Sequence, residues 1–388
     1  MGGGSHGAHV FAVEDTSVQV VFAHLPAGDW QVEAGGQIAR LHQARRGPAA
    51  ATVHGLPAAT RIDVTLSGPG VPRTPVARAR TLEPPPGRLL SRLATMSDIH
   101  LGSYAFGLRN TITEDPEPGW HPFPWRCAHA ALTEAVAWGA EMLVVKGDLT
   151  ATGRRSQLND VGQLFSAAPV PVHLMLGNHE ITRRGTDPWA VLAAWGLDTL
   201  RDVRVIDQPG IRVVLAHTPA PISGRGHLTA PVKAKVLEAA AGAPGGVLLL
   251  LHHYLQAWPL PTFYPISIPS PVANPFLAAL GRSHPDTLIS SGHSHRNRRY
   301  ERRGLTLTEV ASTIHYPGVW AGYAIYEGGI RQVVRRIVEP SATEWVERTR
   351  RAVGGFWGRW AAGRLSDRCF SLLWAHPAPA APPAPGPD

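Results

Sequence analysis

Sulfur is nearly absent from this sequence. Two cysteines, Cys127 and Cys369, are too few for a disulfide framework and leave no thiolate set for a metal. Charge is thin as well: Asp, Glu, Lys and Arg together make up 17% of the residues, and lysine is rare beside arginine. The apolar run at Val247–Leu251 falls far short of a membrane span. The opening Met1-Gly2-Gly3-Gly4-Ser5-His6 has no basic stretch followed by an apolar one, so no secretory signal is expected and a cytoplasmic location is. A Gly-x-x-x-x-Gly-Lys phosphate loop, a Ser/His/Asp arrangement and an internal repeat are all missing, which sets aside phosphate-loop and serine-nucleophile chemistry.

What is plentiful is glycine (40) and proline (36) in 388 residues, so loops, turns and a disordered end are expected. Apolar residues at 44% and a mean hydropathy of -0.07 are ordinary for a globular chain, long enough for a large core and a second, smaller domain. The net charge is +8, from 37 basic against 29 acidic residues. That balance suits anionic substrates such as phosphate esters. It permits weak contact with nucleic acid or acidic lipid and selects neither.

Between residues 9 and 82 short alternating runs, such as Val18-Gln19-Val20-Val21-Phe22 and Trp30-Gln31-Val32, are separated by Gly, Pro and Asp, which reads as small antiparallel strands. The stretch 51–66, with Leu56-Pro57 ahead of the alternation Ile62-Asp63-Val64-Thr65-Leu66, resembles a fibronectin type III domain, with Ile62 where that fold usually has an aromatic. The resemblance implies a β-sandwich over 9–82. Glu83-Pro84-Pro85-Pro86-Gly87 reads as a stiff linker. From 88 to 339 apolar strands alternate with helical stretches, the signature of α/β layers. The expected fold class is therefore α/β, preceded by the small sandwich. Residues 340–376 read as an Arg/Trp-rich helical extension, and 377–388 as a disordered Ala/Pro tail.

Five polar clusters stand in order along the middle of the chain: Asp98-Ile99-His100, Gly147-Asp148, Gly177-Asn178-His179-Glu180, His252-His253 and Gly292-His293-Ser294-His295. Four of them sit just past the end of an apolar strand, where α/β folds gather their ligands. Asp98 and His100, like His293 and His295, are spaced i, i+2 and can face one side of a strand end. Carboxylate oxygen with imidazole nitrogen and no sulfur is a donor set for Zn, Mn or Fe. Each cluster alone is weak, since Gly-Asp after a strand is usually a turn and Asn178 could cap a helix.

In this order the five blocks resemble the calcineurin-like metallophosphoesterase family, over about Leu93 to Tyr326, which implies an α/β (α+β four-layer) fold of two packed mixed β-sheets flanked by helices. The resemblance implies two divalent metal ions (Mn, Zn, Fe or a mixed pair), one held by Asp98, His100 and His295, the other by Asn178, His252 and His293, with Asp148 bridging them. It implies hydrolysis of a phosphate ester by a hydroxide between the ions, the ester being a diester such as a cyclic nucleotide or glycerophosphodiester, or a monoester. Asp148 and His179 are then the catalytic residues, His179 near the leaving oxygen and oriented by Glu180 or another carboxylate. His252-His253-Tyr254 resembles the His-His-Pro segment of bacterial phosphodiesterases, which favours His252 as the ligand and leaves His253 as the alternative. Purple acid phosphatases place a metal-binding Tyr three residues after the bridging Asp. Here Ala151 stands there, so their iron chemistry is not expected.

The expected partner is a small phosphate ester. Nucleic acid is permitted by the charge but not favoured, because the catalytic segment offers only the basic loop Arg296, Arg298, Arg299. A non-catalytic scaffold using the sandwich is the alternative from another class. His173 reads as structural, His217 as a strand-end histidine that could approach the site, and His315-Tyr316 as equally a rim or a packing element. The tail tryptophans Trp345, Trp357, Trp360 and Trp374 are expected to pack on their own domain rather than on a membrane surface.

Overall fold

The alternating runs near the start become seven strands: β1 (His9–Val13), β2 (Ser17–Leu25), β3 (Gly28–Ala34), β4 (Gln37–Gln43), β5 (Gly47–His54), β6 (Arg61–Gly68) and β7 (Val71–Arg80). The computed structural model describes residues 5–115, 119–181, 185–221, 223–259 and 265–375, so the Ala/Pro tract expected at 377–388 lies outside the described residues. The strands pair antiparallel in two sheets, ordered β1-β2-β5 and β4-β3-β6-β7. Strand β6 carries the period of two directly: Ile62, Val64 and Leu66 are buried while Arg61 and Asp63 are exposed. Trp30 is buried on β3, over Gly68, where a Cβ would come within 2.4 Å of the indole.

The remaining chain builds two six-stranded sheets. The first, β12-β11-β8-β21-β22-β23, contains β8 (Leu89–Met96), β11 (Leu143–Lys146), β12 (Val172–Met175), β21 (Val319–Tyr326), β22 (Gly329–Arg336) and β23 (Cys369–Leu373). The second, β13-β14-β17-β18-β20-β19, contains β13 (Val203–Gln208), β14 (Ile211–Ala216), β17 (Gly246–Leu251), β18 (Thr287–Ser291), β19 (Arg298–Arg302) and β20 (Leu305–Glu309). Both are mixed: β8, β11 and β12 run parallel, as do β14, β17, β18 and β20, with antiparallel strands outside them. Two short hairpins complete the strands, β9 (Ala105–Phe106) with β10 (Ile112–Thr113), and β15 (Pro219–Ala220) with β16 (Ser223–Gly226).

The helices are α1 (Phe123–Ala137), α2 (Arg155–Phe165), α3 (Asn178–Ile181), α4 (Pro188–Ala193), α5 (Ala230–Ala241), α6 (Ser270–Ser283), α7 (Pro340–Thr349), α8 (Phe356–Ala361) and α9 (Leu365–Arg368). Central strands such as β17 are buried on both faces, which is why their sequence is a continuous apolar run rather than an alternation. One face meets the other sheet, through Leu248 and Leu250 against Leu93, Val144 and Tyr323. The opposite faces meet helices: α1, α2 and α7 cover the first sheet, α5 and α6 the second. This is the layered architecture expected from the alternation of strands and helices.

The sandwich is welded to the first sheet. Glu14, buried at the β1–β2 turn, accepts from Arg335 Nε (2.9 Å), Arg331 Nη2 (3.1 Å) and Trp138 Nε1 (3.2 Å). Gln19 donates to the Arg336 carbonyl (2.8 Å) and accepts from its N–H (2.9 Å). The reading of 340–376 as helical is corrected at its end. After α7, α8 and α9, the alternating Cys369–Leu373 forms β23, antiparallel to β22, and so satisfies a sheet edge that would otherwise carry unpaired backbone groups.

Candidate metal centre

Each of the five clusters follows a parallel strand. Asp98 and His100 come after β8, Asp148 after β11, Asn178 after β12, His252 after β17, and His293 with His295 after β18. Three loops leave one sheet and two leave the other, so the centre lies where the ends of both sheets meet.

The i, i+2 pairs do not converge by strand alternation, as the sequence suggested. Asp98 (φ 55°), His100 (φ 39°), Asp148 (φ 50°), His293 (φ 65°) and His295 (φ 53°) all take left-handed backbone conformations in the loops. Such positions cost on the order of 1–3 kcal/mol each for residues with a Cβ and persist where the surroundings dictate them. Tight packing supplies that constraint. A Cβ on Gly177 would lie 2.1 Å from Asp148 Oδ1, and one on Gly292 would lie 1.8 Å from Ser97 Oγ.

The side chains meet in two overlapping groups. His295 Nε2 is 3.3 Å from Asp98 Oδ1 and 3.2 Å from His100 Nε2. His252 Nε2 is 3.4 Å from both Asp148 Oδ1 and Asn178 Oδ1. Asp148 Oδ2 faces the first group, 3.9 Å from His100 Nε2. Ligand atoms of Asp98, His100 and His295 lie within 4.8 Å of one another, as do those of Asp98, Asp148 and His252, and of His252, His253 and His293. His253 is also bound to Thr218: its Nδ1 is 2.9 Å from Thr218 Oγ1, and its Nε2 is a buried atom without a hydrogen-bond partner among the described residues.

The donors fit a hard or borderline cation. A carbonyl can only accept, so His252 Nδ1 donates to the Lys146 carbonyl (2.7 Å), which fixes the ring with Nε2 facing Asp148 and Asn178. Burial pushes Asp98 and Asp148 up, but His295 beside the first and His252 beside the second hold both carboxylates net below their ordinary value. Burial and then the neighbouring His179 lower His100 to about 3, and burial with His252 lowers His293 to about 3. His100 and His293 are thus neutral beside ionised carboxylates, as metal binding requires, whereas burial lowers His252 but the Asp148 charge raises it overall to about 9, so a cation there would displace its proton.

His179 is held at the mouth, its Nδ1 donating to the Ala151 carbonyl (2.6 Å) and its Nε2 3.8 Å from Asp148 Oδ2. Burial lowers its pKa, but the Asp148 charge and the Ala151 carbonyl raise it overall. The expectation that Glu180 orients this ring is corrected. The Glu180 carboxylate accepts from Thr150 N–H (2.8 Å), Thr150 Oγ1 (2.8 Å) and Gly177 N–H (2.7 Å), and so shapes the loop rather than the histidine.

A cavity of about 480 Å³ opens over the centre, lined by His100, His179 and His295 and walled by Phe106, His315 and Trp357. The sequence left His315 undecided. It stacks on Phe106 (3.8 Å between centroids), and its Nδ1 lies 3.3 Å from His295 Nδ1. Trp357 comes from α8, and its Nε1 donates to the Tyr316 carbonyl at 3.1 Å. Trp345 and Trp374 are buried elsewhere. His173 lies near Asp198, and His217 lies near Trp189, where burial lowers its pKa and the centre is close enough for the His252 charge to lower it further. Arg296 and Arg298 flank the buried Glu309, and Arg299 faces Glu301; none of the three lines the cavity. Lys146 went unnoticed in the sequence, although a lysine closing the run Met142–Val145 was a signal. It is wholly buried, donating to Ser290 Oγ (2.9 Å) and the Ser291 carbonyl (3.0 Å), and burial lowers its pKa to about 7 against the pull of Asp98.

The sequence model of the calcineurin-like phosphoesterase family matches residues 91–297. No curated protein matches the chain. Among solved structures the chain is similar to PhoD, at 10% identity over 86% of this chain and 87% of that one, with a TM-score of 0.43. It is also similar to a purple acid phosphatase from yellow lupin (Lupinus luteus) seeds, at 12% identity over 85% of this chain and 72% of that one, TM-score 0.45. A third is phosphopantetheinyl hydrolase from Mycobacterium tuberculosis, at 14% identity over 58% of this chain and 90% of that one, TM-score 0.34.

Proposed function

Because the chain belongs to the calcineurin-like phosphoesterase family, we propose that it hydrolyses a small phosphate ester with divalent metal ions held where its five loops converge. The observation that carries this reading is the convergence of Asp98, His100, Asp148, His252 and His295 from both sheets, with ligand atoms within 4.8 Å in each group. Asp98, His100 and His295 would hold one ion, Asn178, His252 and His293 a second, with Asp148 between them. Two such ions, when bound, clamp the phosphoryl oxygens, lower the pKa of water and neutralise charge that develops on the ester.

The chain's own groups do the rest. The Lys146 carbonyl holds the His252 ring, and Ser97 Oγ lies 2.5 Å from Asp98 Oδ2. His179, whose Nδ1 donates to Ala151, would protonate the leaving oxygen, and the Asp148 charge favours that proton. Phe106 and Trp357 give the organic part of the ester an apolar wall. A diester such as a cyclic nucleotide or glycerophosphodiester, or a monoester, is the substrate class. We further assign the N-terminal sandwich to the fibronectin type III type, a reading supported by its strand orders β1-β2-β5 and β4-β3-β6-β7.

The test is hydrolysis of bis(p-nitrophenyl) phosphate and of a panel of monoesters and cyclic nucleotides, with Mn or Zn supplied. Turnover that disappears in Asp148→Asn supports the reading. Inactivity with every metal and substrate would sink it.

A further inference from the structure

A second cavity, away from the metal centre, separates the sandwich from the C-terminal segment. It encloses about 850 Å³, and four arginines line it against a single glutamate: Arg46 from the β4–β5 turn, and Arg350, Arg351 and Arg359 from the α7–α8 region, facing Glu347. The glutamate is already committed, accepting from Arg336 Nη2 (2.7 Å) and Arg350 Nη1 (2.8 Å). Among the described residues no carboxylate pairs with Arg46, Arg351 or Arg359, which are all exposed. Like charges gathered in a concavity repel one another and raise the potential for an anion. Elsewhere on this surface some arginines are paired, as in Arg73 with Glu33 and Arg204 with Asp198, and others, such as Arg225 and Arg303, have no ion pair among the described residues.

The floor leaves room for a ligand. Val353, Gly354 and Gly355 take φ of 52°, 61° and 82° in succession, and a Cβ on Gly354 or Gly355 would meet nothing within 4 Å. The planar fork of arginine binds phosphate oxygens in pairs, which a point charge does not. Three unpaired guanidinium groups around one cavity therefore suit a compact ligand with several phosphate groups, and the volume is that of a small-molecule site. The cavity shares α8 with the pocket over the metal centre: Gly358 and Arg359 line the first, Trp357 the second.

We propose that the cleft between the sandwich and the C-terminal segment is an anion site, separate from the metal centre, that takes clustered phosphate groups, free or carried on a lipid headgroup. The test is calorimetric titration of the full chain with sodium tripolyphosphate at physiological ionic strength without added divalent metal. Alongside it, the protein is sedimented with phosphatidylcholine vesicles with and without phosphatidylinositol bisphosphate. One-to-one binding is expected, weakened about tenfold or more by Arg46→Gln, Arg351→Gln or Arg359→Gln, the scale of one lost charge-assisted hydrogen bond. Arg303→Gln, an exposed arginine in the β19–β20 turn, and Asp148→Asn at the metal centre are expected to leave the affinity unchanged. Tripolyphosphate binding identifies a soluble ligand. Sedimentation only with the phosphoinositide, lost in the same three variants, identifies the headgroup. Absence of both, an equal loss in Arg303→Gln, or loss in Asp148→Asn would overturn the proposal.

Discussion

His252 and Lys146 are joined by one hydrogen bond, from the imidazole Nδ1 to the lysine carbonyl at 2.7 Å. The lysine's own ammonium crosses to the second sheet, where it holds Ser290 and Ser291 just ahead of the His293 loop. A single residue thus sets the ring that follows β17 and ties β11 to β18. Lys146→Met is expected to leave Ser290 Oγ and the Ser291 carbonyl without that donor, costing about 1–3 kcal/mol of stability, and to weaken metal binding about 10–100-fold. Denaturant unfolding and a metal titration of activity measure the two. An unchanged metal midpoint would show that the tie does not position the ligands.

His179→Ala is expected to lower kcat about 10²–10⁴-fold on alkyl phosphate esters, the usual range for a positioned proton donor. The loss should be much smaller on p-nitrophenyl esters, whose leaving group needs no proton. Equal losses on both classes would assign the ring to binding rather than proton transfer.

Gly177→Ala tests the packing of the centre without touching a ligand. The added methyl would sit 2.1 Å from Asp148 Oδ1 and 2.3 Å from its backbone nitrogen, so the carboxylate must move. Metal content after dialysis and metal-dependent turnover should both collapse. Full metal occupancy in the variant would contradict the role given to Asp148.

Glu14→Gln should weaken the weld between sandwich and first sheet. Desolvation raises the Glu14 pKa, but Arg335 and Arg331 outweigh it, so the folded value lies below the ordinary 4.5. The sign follows: this carboxylate stabilises the protein above pH 4.5, and its contribution is lost as pH falls through the lower folded value. At pH 7 the variant leaves Arg335 without its buried carboxylate, at a cost of about 3–5 kcal/mol. Denaturant unfolding at descending pH should show the gap to the unsubstituted protein closing in acid. A gap constant with pH would rule out the ionic origin.

Much of the centre was legible because its information is local. Asp98-Ile99-His100, Gly147-Asp148 and Gly292-His293-Ser294-His295 each pair a candidate ligand with the residues that end a strand, and the apolar runs before them have the length of buried strands. The left-handed turns that aim those ligands were not legible, because non-glycine residues adopt them only when the packed loops impose them. Glu180 illustrates the same limit. Its neighbour His179 suggested a partner, yet the carboxylate turns to Thr150 and Gly177, where buried N–H groups need an acceptor.

By itself the sequence determined which residue types could bind a metal and in what order along parallel strands they would arrive, since strand period, apolar runs and donor chemistry are properties of short segments. Only the tertiary structure decided that Trp357 walls the cavity over the candidate metal centre, that Cys369–Leu373 closes the first sheet, that Glu14 fastens the sandwich to it, and that Arg46 faces Arg351 and Arg359. Those pairings join residues tens to hundreds of positions apart. They exist because burying apolar area brings the segments together, and no local pattern specifies which polar groups then meet.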